Sequence, residues 1–308
     1  MKTGVRLGGG STREYEYERV CGVSVDNFTY PEVFEIEDRV TVKNQGDKSA
    51  CAAFAYATVL EHIFGKRMSE GFIYGMLRAD SDKFPGMYVT RLLELAVKIG
   101  AVPLSAFGIL LEMPDIRDVV KKFPELLNVA LKHRIEGFAS LNYANAEKKH
   151  KAIQHALTFN LTADGKHIPL LAASNDYFHE PHAIVLRGWN DKDKTYKIQN
   201  SWGEEWGDGG YKYVPRDAIN GAYAIYPNKI ALPFSDVTEK DWFFKDVKNM
   251  YLAGIINGTS ETTFEPNRPI TRAEHSATMN RHSKRDDEEH ERIWRAINAM
   301  NDRLEGMI

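Results

Sequence analysis

The sequence predicts an α+β fold, because helix-like segments fill its first half and short strand-like segments follow in its second half. The run ACAAFAYATVLEHIF places small and apolar residues on a wide helical face and contains neither Gly nor Pro. Later runs such as HAIVLRGW and TYKIQNSW are short and are separated by Gly, Asn and Asp. A chain of 308 residues is long enough to bury a sizeable core and to hold more than one domain.

The chain begins with a polar segment. Residues 1–35 are Gly-rich and charged, which predicts a loosely held N-terminal arm. Val40 and Val42 then indicate a short strand, and the polar residues 44–49 predict a turn. We therefore expect the first packed domain to begin near residue 36.

The helices of this domain are predicted from Ala50 onward. MSEGFIYGMLR follows the first buried helix and has Ser69 as its N-cap, and PGMYVTRLLELAVKIGAV ends at Gly100. Helical pieces continue to about Leu131, and HKAIQHALTF adds another helix. The strand-like runs come after these helices and are rich in β-branched and aromatic residues. They read IPLLAAS, HAIVLRGW, TYKIQNSW, GYKYVPR and AYAIYP.

Composition excludes several classes of partner and cofactor. A net charge of −3 gives no reason to expect nucleic acid or an anionic membrane. No apolar run approaches the roughly 20 residues of a membrane span, and the N-terminus shows no apolar core of a secretory signal. Two cysteines exclude a four-thiolate zinc site. We therefore predict neither a metal nor a cofactor.

A second, smaller unit is predicted over residues 233–282. It reads as helix, loop, helix, with Thr271 as N-cap of the second helix and Glu274 as its capping-box partner. The residues expected to form its small apolar core are Phe234, Val237, Trp242, Val247, Ile255, Phe264 and Ile270.

The last 26 residues, 283–308, predict an amphipathic helix. Apolar residues recur there at spacings of four and three, which is a heptad seam of about two and a half repeats. They are Ile293, Ile297, Met300, Leu304 and Met307. Two interpretations remain open: the seam forms a short coiled coil between chains, or it packs on its own unit.

Cys51 lies where a polar turn meets the predicted first helix. A helix N-terminus favours the thiolate, which is the nucleophilic form of the side chain. A nucleophilic thiolate needs an imidazole beside it, and His182 opens a strand that is predicted to be buried. Asn200 ends a strand and is followed by Trp202, so it can orient an imidazole and be shielded from water. By itself, each of these residues could equally be part of an inert core.

Three motifs around these residues resemble the papain-like cysteine peptidases over residues 36–230. They are VKNQGDKSACAAF, HAIVLRGW and NSWGEEWGDGGY, in that order. His182 and Asn200 follow Cys51 by 131 and 149 residues, and the family spacing is about 130 and 150. The resemblance implies a two-lobed fold, with a helical left lobe and a β-barrel-like right lobe, over residues 36–232.

The resemblance also implies roles for the matching residues. Cys51 would attack the scissile carbonyl, His182 would be the paired imidazolium and general acid, and Asn200 would hold the ring. Gln45 would donate its side-chain amide to the oxyanion, together with the backbone N–H of Cys51. The resulting prediction is a cysteine endopeptidase that works through a thioester acyl-enzyme.

Two further positions are predicted to contact substrate. Gly86 falls where the family often has a glycine that lets the substrate backbone pair closely, and Trp202 lies beside the triad. The chain also departs from the family pattern. Ala52 follows the nucleophile where Trp is common, and Pro181 precedes His182. No helical inhibitory propeptide of the usual kind is visible, so any latency would come from the short arm or from elsewhere.

The small unit resembles a single S-layer homology repeat, through FSDV, Trp242, AGIINGTSETTFEP and ITRAE in order. That family implies binding to secondary polymers of the bacterial cell wall, with Asp236, Trp242 and Arg272 as candidate contacts. Because such repeats usually act in threes, we expect that the C-terminal seam assembles a homotrimer. The predicted location is extracellular and cell-wall associated, although the export route is not visible.

Two other functions stay open at this stage. The first is a catalytically inactive adhesin on a papain-like scaffold, and the second is an aminopeptidase or amidase that acts on wall peptides. Cys21 is predicted to be an incidental thiol, with a redox lock to Cys51 as the alternative. Asn257-Gly-Thr matches a glycosylation pattern, for which a chance Asn-Gly turn is the preferred explanation.

Overall fold

The structure is a computed structural model, and its chain divides into two compact units, residues 1–230 and 231–308. The residues that it describes are 5–6, 16–22, 24–37, 39–76, 87–108, 124–162, 164–227, 232, 234–238, 240–252, 255–260 and 262–283.

The helices of the first unit precede most of its strands, as the sequence predicts. They are α1 (Tyr17–Cys21), α2 (Cys51–Phe64), α3 (Glu70–Met76), α4 (Val89–Ile99), α5 (Leu104–Phe107), α6 (Glu125–Leu131) and α7 (Ala146–Phe159). The hydroxyl of Ser69 accepts a hydrogen bond from the Phe72 N–H at 3.0 Å, so Ser69 is the N-cap of α3. Gly100 ends α4 with φ of 82°, a value that glycine adopts without a steric cost.

The strands form two sheets among the residues that the structure describes. The strands are β1 (Val5–Arg6), β2 (Val33–Glu35), β3 (Met87–Tyr88), β4 (Gly137–Ser140), β5 (Leu170–Ser174), β6 (His182–Asn190), β7 (Thr195–Gln199), β8 (Tyr211–Pro215) and β9 (Gly221–Tyr226). The larger sheet is antiparallel in the order β4-β9-β5-β6-β7-β8, with β2 paired to β6. The smaller sheet pairs β1 with β3 in parallel.

Strand β6 is the centre of the large sheet. It pairs with β5 on one side and β7 on the other, and its last three residues also pair with β2. A Cβ atom on Gly188 would lie 2.2 Å from the Phe34 carbonyl oxygen, so only glycine permits this close approach. The long apolar run of β6 is buried because the strand is covered on both faces.

One apolar core joins the helices to the large sheet. Helix α2 packs against β6 and β5, and its small side chains allow this close contact. The core is shared by residues of α2, α4, β5, β6 and β9, among them Tyr56, Leu60, Leu92, Leu93, Leu171, Val185 and Ile225. The unit therefore has a helical half, which contains α2 to α6, and a sheet half, and the predicted α+β class is confirmed.

The first 35 residues differ from the predicted arm where the structure describes them. Tyr17 and Val20 of α1 are buried, and so is Val25 in a short 3-10 helix. Strand β2 pairs with β6 and therefore belongs to the large sheet. Apolar residues spaced along a polar segment are enough to anchor it here, and the low hydrophobicity of residues 1–35 concealed them.

The strand expected at Val40 and Val42 does not form. This stretch is irregular, and Asn44 makes only a single bridge with Trp202. Val42 instead packs against Gly210, where an added Cβ would lie 2.4 Å from Val42 Cγ1. The segment is held by side-chain packing and isolated bonds, which the alternation of two valines does not reveal.

The second unit contains helix α8 (Phe244–Leu252) and a further helix, α9, over 272–283. Phe234, Val237 and Val247 form its buried core, and Ile255 is also buried. Trp242 and Ile270, which were expected in that core, are exposed. Residues 284–308, with the predicted heptad seam, lie outside the described residues.

Candidate active site

The nucleophile candidate stands at the start of α2. Ala50 is the N-cap of this helix and Cys51 is its first residue, so the sulfur lies at the positive end of the helix dipole. Cys51 has no exposed surface and does not form a disulfide. The helix begins here because the turn before it is polar and because an unbroken run of small apolar residues follows.

His182 and Asn200 are joined by a buried hydrogen bond. His182 opens β6 and Asn200 follows β7, and these neighbouring strands bring His182 Nε2 within 2.7 Å of Asn200 Oδ1. The same Oδ1 accepts the Ser201 backbone N–H at 2.7 Å. Because a backbone N–H can only donate, the Asn200 atom between them is an oxygen, and the proton lies on His182 Nε2.

The second ring nitrogen of His182 is therefore the reactive one. In the neutral ring Nδ1 carries a lone pair, and it is buried with no hydrogen-bond partner among the described residues. Cys51 and Ala183, the residue after His182, lie in one core cluster. The fold thus brings the sulfur-bearing helix end and the imidazole-bearing strand end together, as the sequence predicts.

Burial controls the charge of this imidazole. Desolvation lowers the pKa of His182 to about 4, and the hydrogen bond to Asn200 acts in the opposite direction. The ring is therefore neutral near pH 7 until a negative charge appears beside it. A neutral ring with a bare Nδ1 is a base, and a nearby thiolate would stabilise its charged form.

Aromatic rings shield the His182–Asn200 pair. Trp202 lies 4.5 Å from the His182 ring, centroid to centroid, and Phe178 contacts the same ring edge-to-face at 5.0 Å. Trp206 extends this group through Trp202 at 5.9 Å. The predicted shielding by Trp202 is observed in the structure, whereas Phe178 was missed because SNDYFHEP carries no recognisable signal.

Gln45 is fixed beside the same residues. Its Oε1 accepts the Ser201 hydroxyl at 2.6 Å, and its Nε2 donates to the Lys48 carbonyl at 2.7 Å. The Gln45 backbone N–H also donates to the Ser201 carbonyl at 2.9 Å. Ser201 therefore connects the amide that orients His182 with the amide that is predicted to bind the oxyanion.

A buried ion pair supports the Gln45 segment. Lys43 Nζ contacts Glu61 Oε2, and the Lys43 side chain has no exposed surface. Desolvation lowers the pKa of Lys43, while the Glu61 carboxylate acts to raise it. The Lys43 carbonyl accepts the Gly203 N–H at 3.0 Å. Lys43 thus ties the segment to α2 and to the Asn200 loop, a role that single-sequence patterns do not indicate.

The remaining predicted positions of this unit have other outcomes. Gly86 lies outside the described residues. Cys21 contacts the Tyr226 hydroxyl at 2.7 Å, and burial raises its pKa to about 11, so it is an unreactive thiol. Neither cysteine forms a disulfide, and the alternative of a redox lock between Cys21 and Cys51 is not supported.

Within the described ranges, no group of three or more His, Cys, Asp or Glu side chains is placed to hold a metal ion. In the same ranges no helix combines the length and apolar character that crossing a membrane requires.

The three candidate wall contacts of the second unit differ in their environment. The Asp236 carboxylate accepts the backbone N–H groups of Phe264 and Glu265 at 2.9 and 2.6 Å, so it holds a loop. These bonds lower the pKa of Asp236. Trp242 is 89% exposed, and Arg272 is exposed at the start of α9. Trp242 and Arg272 are thus available to a ligand, whereas Asp236 is used internally.

The capping box of α9 is confirmed. The Thr271 hydroxyl accepts the Glu274 N–H at 3.2 Å, and the Glu274 carboxylate accepts the Thr271 N–H at 2.8 Å. These bonds and an ion pair with Arg268 lower the pKa of Glu274 to about 2. A cleft of about 420 Å³ lies beside them, and the residues that line it include Ile256, Phe264, Arg268, Glu274 and Arg281.

Comparison with known families confirms both resemblances. Residues 130–229 match the papain family cysteine protease, and residues 233–274 match the S-layer homology domain. The chain therefore combines a papain family segment with one S-layer homology segment.

Individual relatives cover parts of the chain. Procathepsin L of Rattus norvegicus is 24% identical over 207 residues, which is 58% of both chains. An endoglucanase of Bacillus sp. (strain KSM-635) is 43% identical over 51 residues, which is 17% of this chain and 5% of the relative. The chain thus spans less than two thirds of the length of these curated relatives.

Solved structures confirm the papain-like fold. Xylellain, a cysteine protease from Xylella fastidiosa, superposes with a TM-score of 0.56 at 17% identity, over 74% of this chain and 96% of that one. Procathepsin L 3 of Tenebrio molitor gives a TM-score of 0.52 at 14% identity, over 70% and 75% of the two chains.

Proposed function

We propose that the first unit is a cysteine peptidase with Cys51 as nucleophile, His182 as general base and acid, and Asn200 as the group that orients the imidazole. The observation that carries this proposal is the 2.7 Å bond from His182 Nε2 to Asn200 Oδ1, which leaves Nδ1 to exchange a proton. The papain family match over residues 130–229 covers His182 and Asn200.

In the proposed reaction the Cys51 proton moves to His182 Nδ1, and the thiolate attacks the carbonyl carbon of a peptide bond. The negative oxygen that forms receives hydrogen bonds from the Cys51 backbone N–H and from Gln45 Nε2. His182 then returns its proton to the leaving amine, and a thioester between Cys51 and the acyl half remains. Water hydrolyses this thioester, with His182 again as base, and the thiol is restored.

The two alternatives differ in testable ways. An inactive adhesin would have no need of an imidazole in a fixed tautomer, and the conserved form of its hydrogen bonds argues for catalysis. An aminopeptidase or amidase would use the same residues but would cleave only at a chain end or at a side-chain amide. Endopeptidase activity is the best supported of the three because the family match is to proteases.

A mixed peptide library incubated with the protein tests this proposal. Mass spectrometry of the products should show internal cleavage by the wild type and none by Cys51→Ala. Cys21→Ala is the matched control, because it removes the other thiol and should keep the activity. Equal turnover by wild type and Cys51→Ala would remove Cys51 from the mechanism, and release of single terminal residues would favour the aminopeptidase.

We also propose that the second unit attaches the protein to bacterial cell-wall polymer, which implies a surface location. The match to the S-layer homology domain supports this, and the exposed Trp242 ring is suited to stacking on a sugar face. In co-sedimentation with purified wall sacculi, Trp242→Ala and Arg272→Ala should each weaken binding about tenfold, roughly the energy of one good contact. Ile270→Ala, at another exposed residue, is the control, and unchanged binding by Trp242→Ala would contradict the role of the ring.

Homotrimer formation through residues 283–308 stays a prediction, because the seam from Ile293 to Met307 lies outside the described residues. Light scattering of the full chain tests it directly. A monomer at micromolar concentration would exclude the trimer.

A further inference from the structure

The predicted reactive groups lie on the boundary between the two halves of the first unit. Cys51 begins α2 in the helical half, and His182 begins β6 in the sheet half. Neither side chain has any exposed surface. A peptide carbonyl must touch the sulfur to be attacked, so substrate cannot reach it in this conformation until a covering group moves.

The short strand β1 connects these two halves. Val5 pairs with Met87 and Arg6 with Tyr88, in the strand that leads directly into α4 of the helical half. The same two-residue strand also contacts β6 of the sheet half. Because α2 and β6 also pack on each other, β1 crosses the boundary that carries Cys51 and His182.

The attachment points of the N-terminal chain agree with this position. β1 is held on the helical half by parallel pairing with β3. Glu16, ten residues after Arg6, is bridged to Ser140 of β4, in the sheet half. The N-terminal chain is therefore attached on both sides of the boundary, and α1 anchors it through its buried Tyr17 and Val20.

We propose that Val5–Arg6, here called the N-terminal strap, occupies the cleft as an extended peptide and blocks the active site of the same chain. This inference rests on the proposed function, since it regulates that site. The strap is bound by backbone pairing to β3, as an added strand binds a sheet edge. Substrate must displace it, so the full chain is latent, and release of the strap activates it.

The test uses the full chain and two substitutions of the strap. The double variant Val5→Pro/Arg6→Pro removes both backbone N–H groups and weakens strand pairing. The matched control, Val5→Ala/Arg6→Ala, changes the same side chains but keeps both N–H groups. Iodoacetamide is the probe, and peptide mapping by mass spectrometry gives separate alkylation rates for Cys51 and Cys21.

The proline pair should raise the Cys51 alkylation rate about tenfold or more, since each lost hydrogen bond shifts an opening equilibrium severalfold. The alanine pair should stay within about twofold of wild type. Cys21 is an internal control, because it lies beyond Glu16 and contacts Tyr226 in both states. A synthetic peptide of residues 1–10, MKTGVRLGGG, should slow Cys51 alkylation in the proline pair, and a scrambled peptide should not.

Equal Cys51 rates in wild type and the proline pair would overturn the strap, and so would equal increases in the proline and alanine pairs. Peptide hydrolysis measured in parallel separates this proposal from the proposed function. Faster Cys51 alkylation without any hydrolysis would keep the strap and reject the peptidase. Hydrolysis by all variants with unchanged alkylation would keep the peptidase and reject the strap.

Discussion

The His182–Asn200 bond gives the sharpest test of the catalytic geometry. Asn200→Ala removes the Oδ1 atom that lies 2.7 Å from His182 Nε2. In the charged ring this is a hydrogen bond to an ionised group, worth about 1.5–3 kcal/mol. Because this bond raises the pKa of His182, its loss should lower that pKa further and make the imidazolium scarcer.

The expected effect follows from that energy. If the thiolate exists only with the imidazolium, its population should fall roughly 10- to 150-fold, since about 1.4 kcal/mol is a factor of ten. The assay is alkylation of Cys51 by iodoacetamide at about pH 6, where an ordinary thiol of pKa about 8.5 is nearly inert. Measurement in the strap-opened proline pair avoids the question of access.

Asn200→Asp is the matched control for this experiment. The carboxylate keeps an acceptor oxygen for both His182 Nε2 and the Ser201 N–H, and its charge should raise the pKa of His182. Alkylation should then persist to higher pH than in Asn200→Ala. A change of less than about twofold in Asn200→Ala, with the protein folded by circular dichroism, would refute the role of Asn200.

Three further outcomes follow from the structure. Gln45→Ala should lower kcat about 100- to 1000-fold with little change in KM if its amide binds the oxyanion, and a loss confined to KM would refute that role. Gly188→Ala should lower the free energy of unfolding by about 1–3 kcal/mol or more, because the new Cβ would lie 2.2 Å from the Phe34 carbonyl oxygen; an unchanged urea midpoint would contradict this contact. Burial lowers the pKa of His62 to about 3 and of His155 to about 4. Since the unfolded chain binds these protons more readily, their contribution is complete above about pH 6.5 and is lost as pH falls toward 4 and 3, by roughly 3 kcal/mol for His155. Urea titrations across that range should show the loss, and His155→Gln should make it shallower.

The sequence by itself determined the order and type of the main elements. The α2 helix, the five strand-like runs and the capping box of α9 follow from periodicity, glycine positions and local hydrogen bonds, all of which act between near neighbours in the chain. The motifs around Cys51, His182 and Asn200 also identified the candidate site, because their order and spacing match a known family.

Only the tertiary structure decided the features that depend on distant residues. The polar composition of the N-terminal segment gave no sign that β2 would pair with β6 or that β1 would pair with β3. The Lys43–Glu61 ion pair and the exposure of Trp242 likewise depend on which surfaces meet. Pairing, burial and desolvation are set by residues far apart in sequence, so a local pattern cannot specify them.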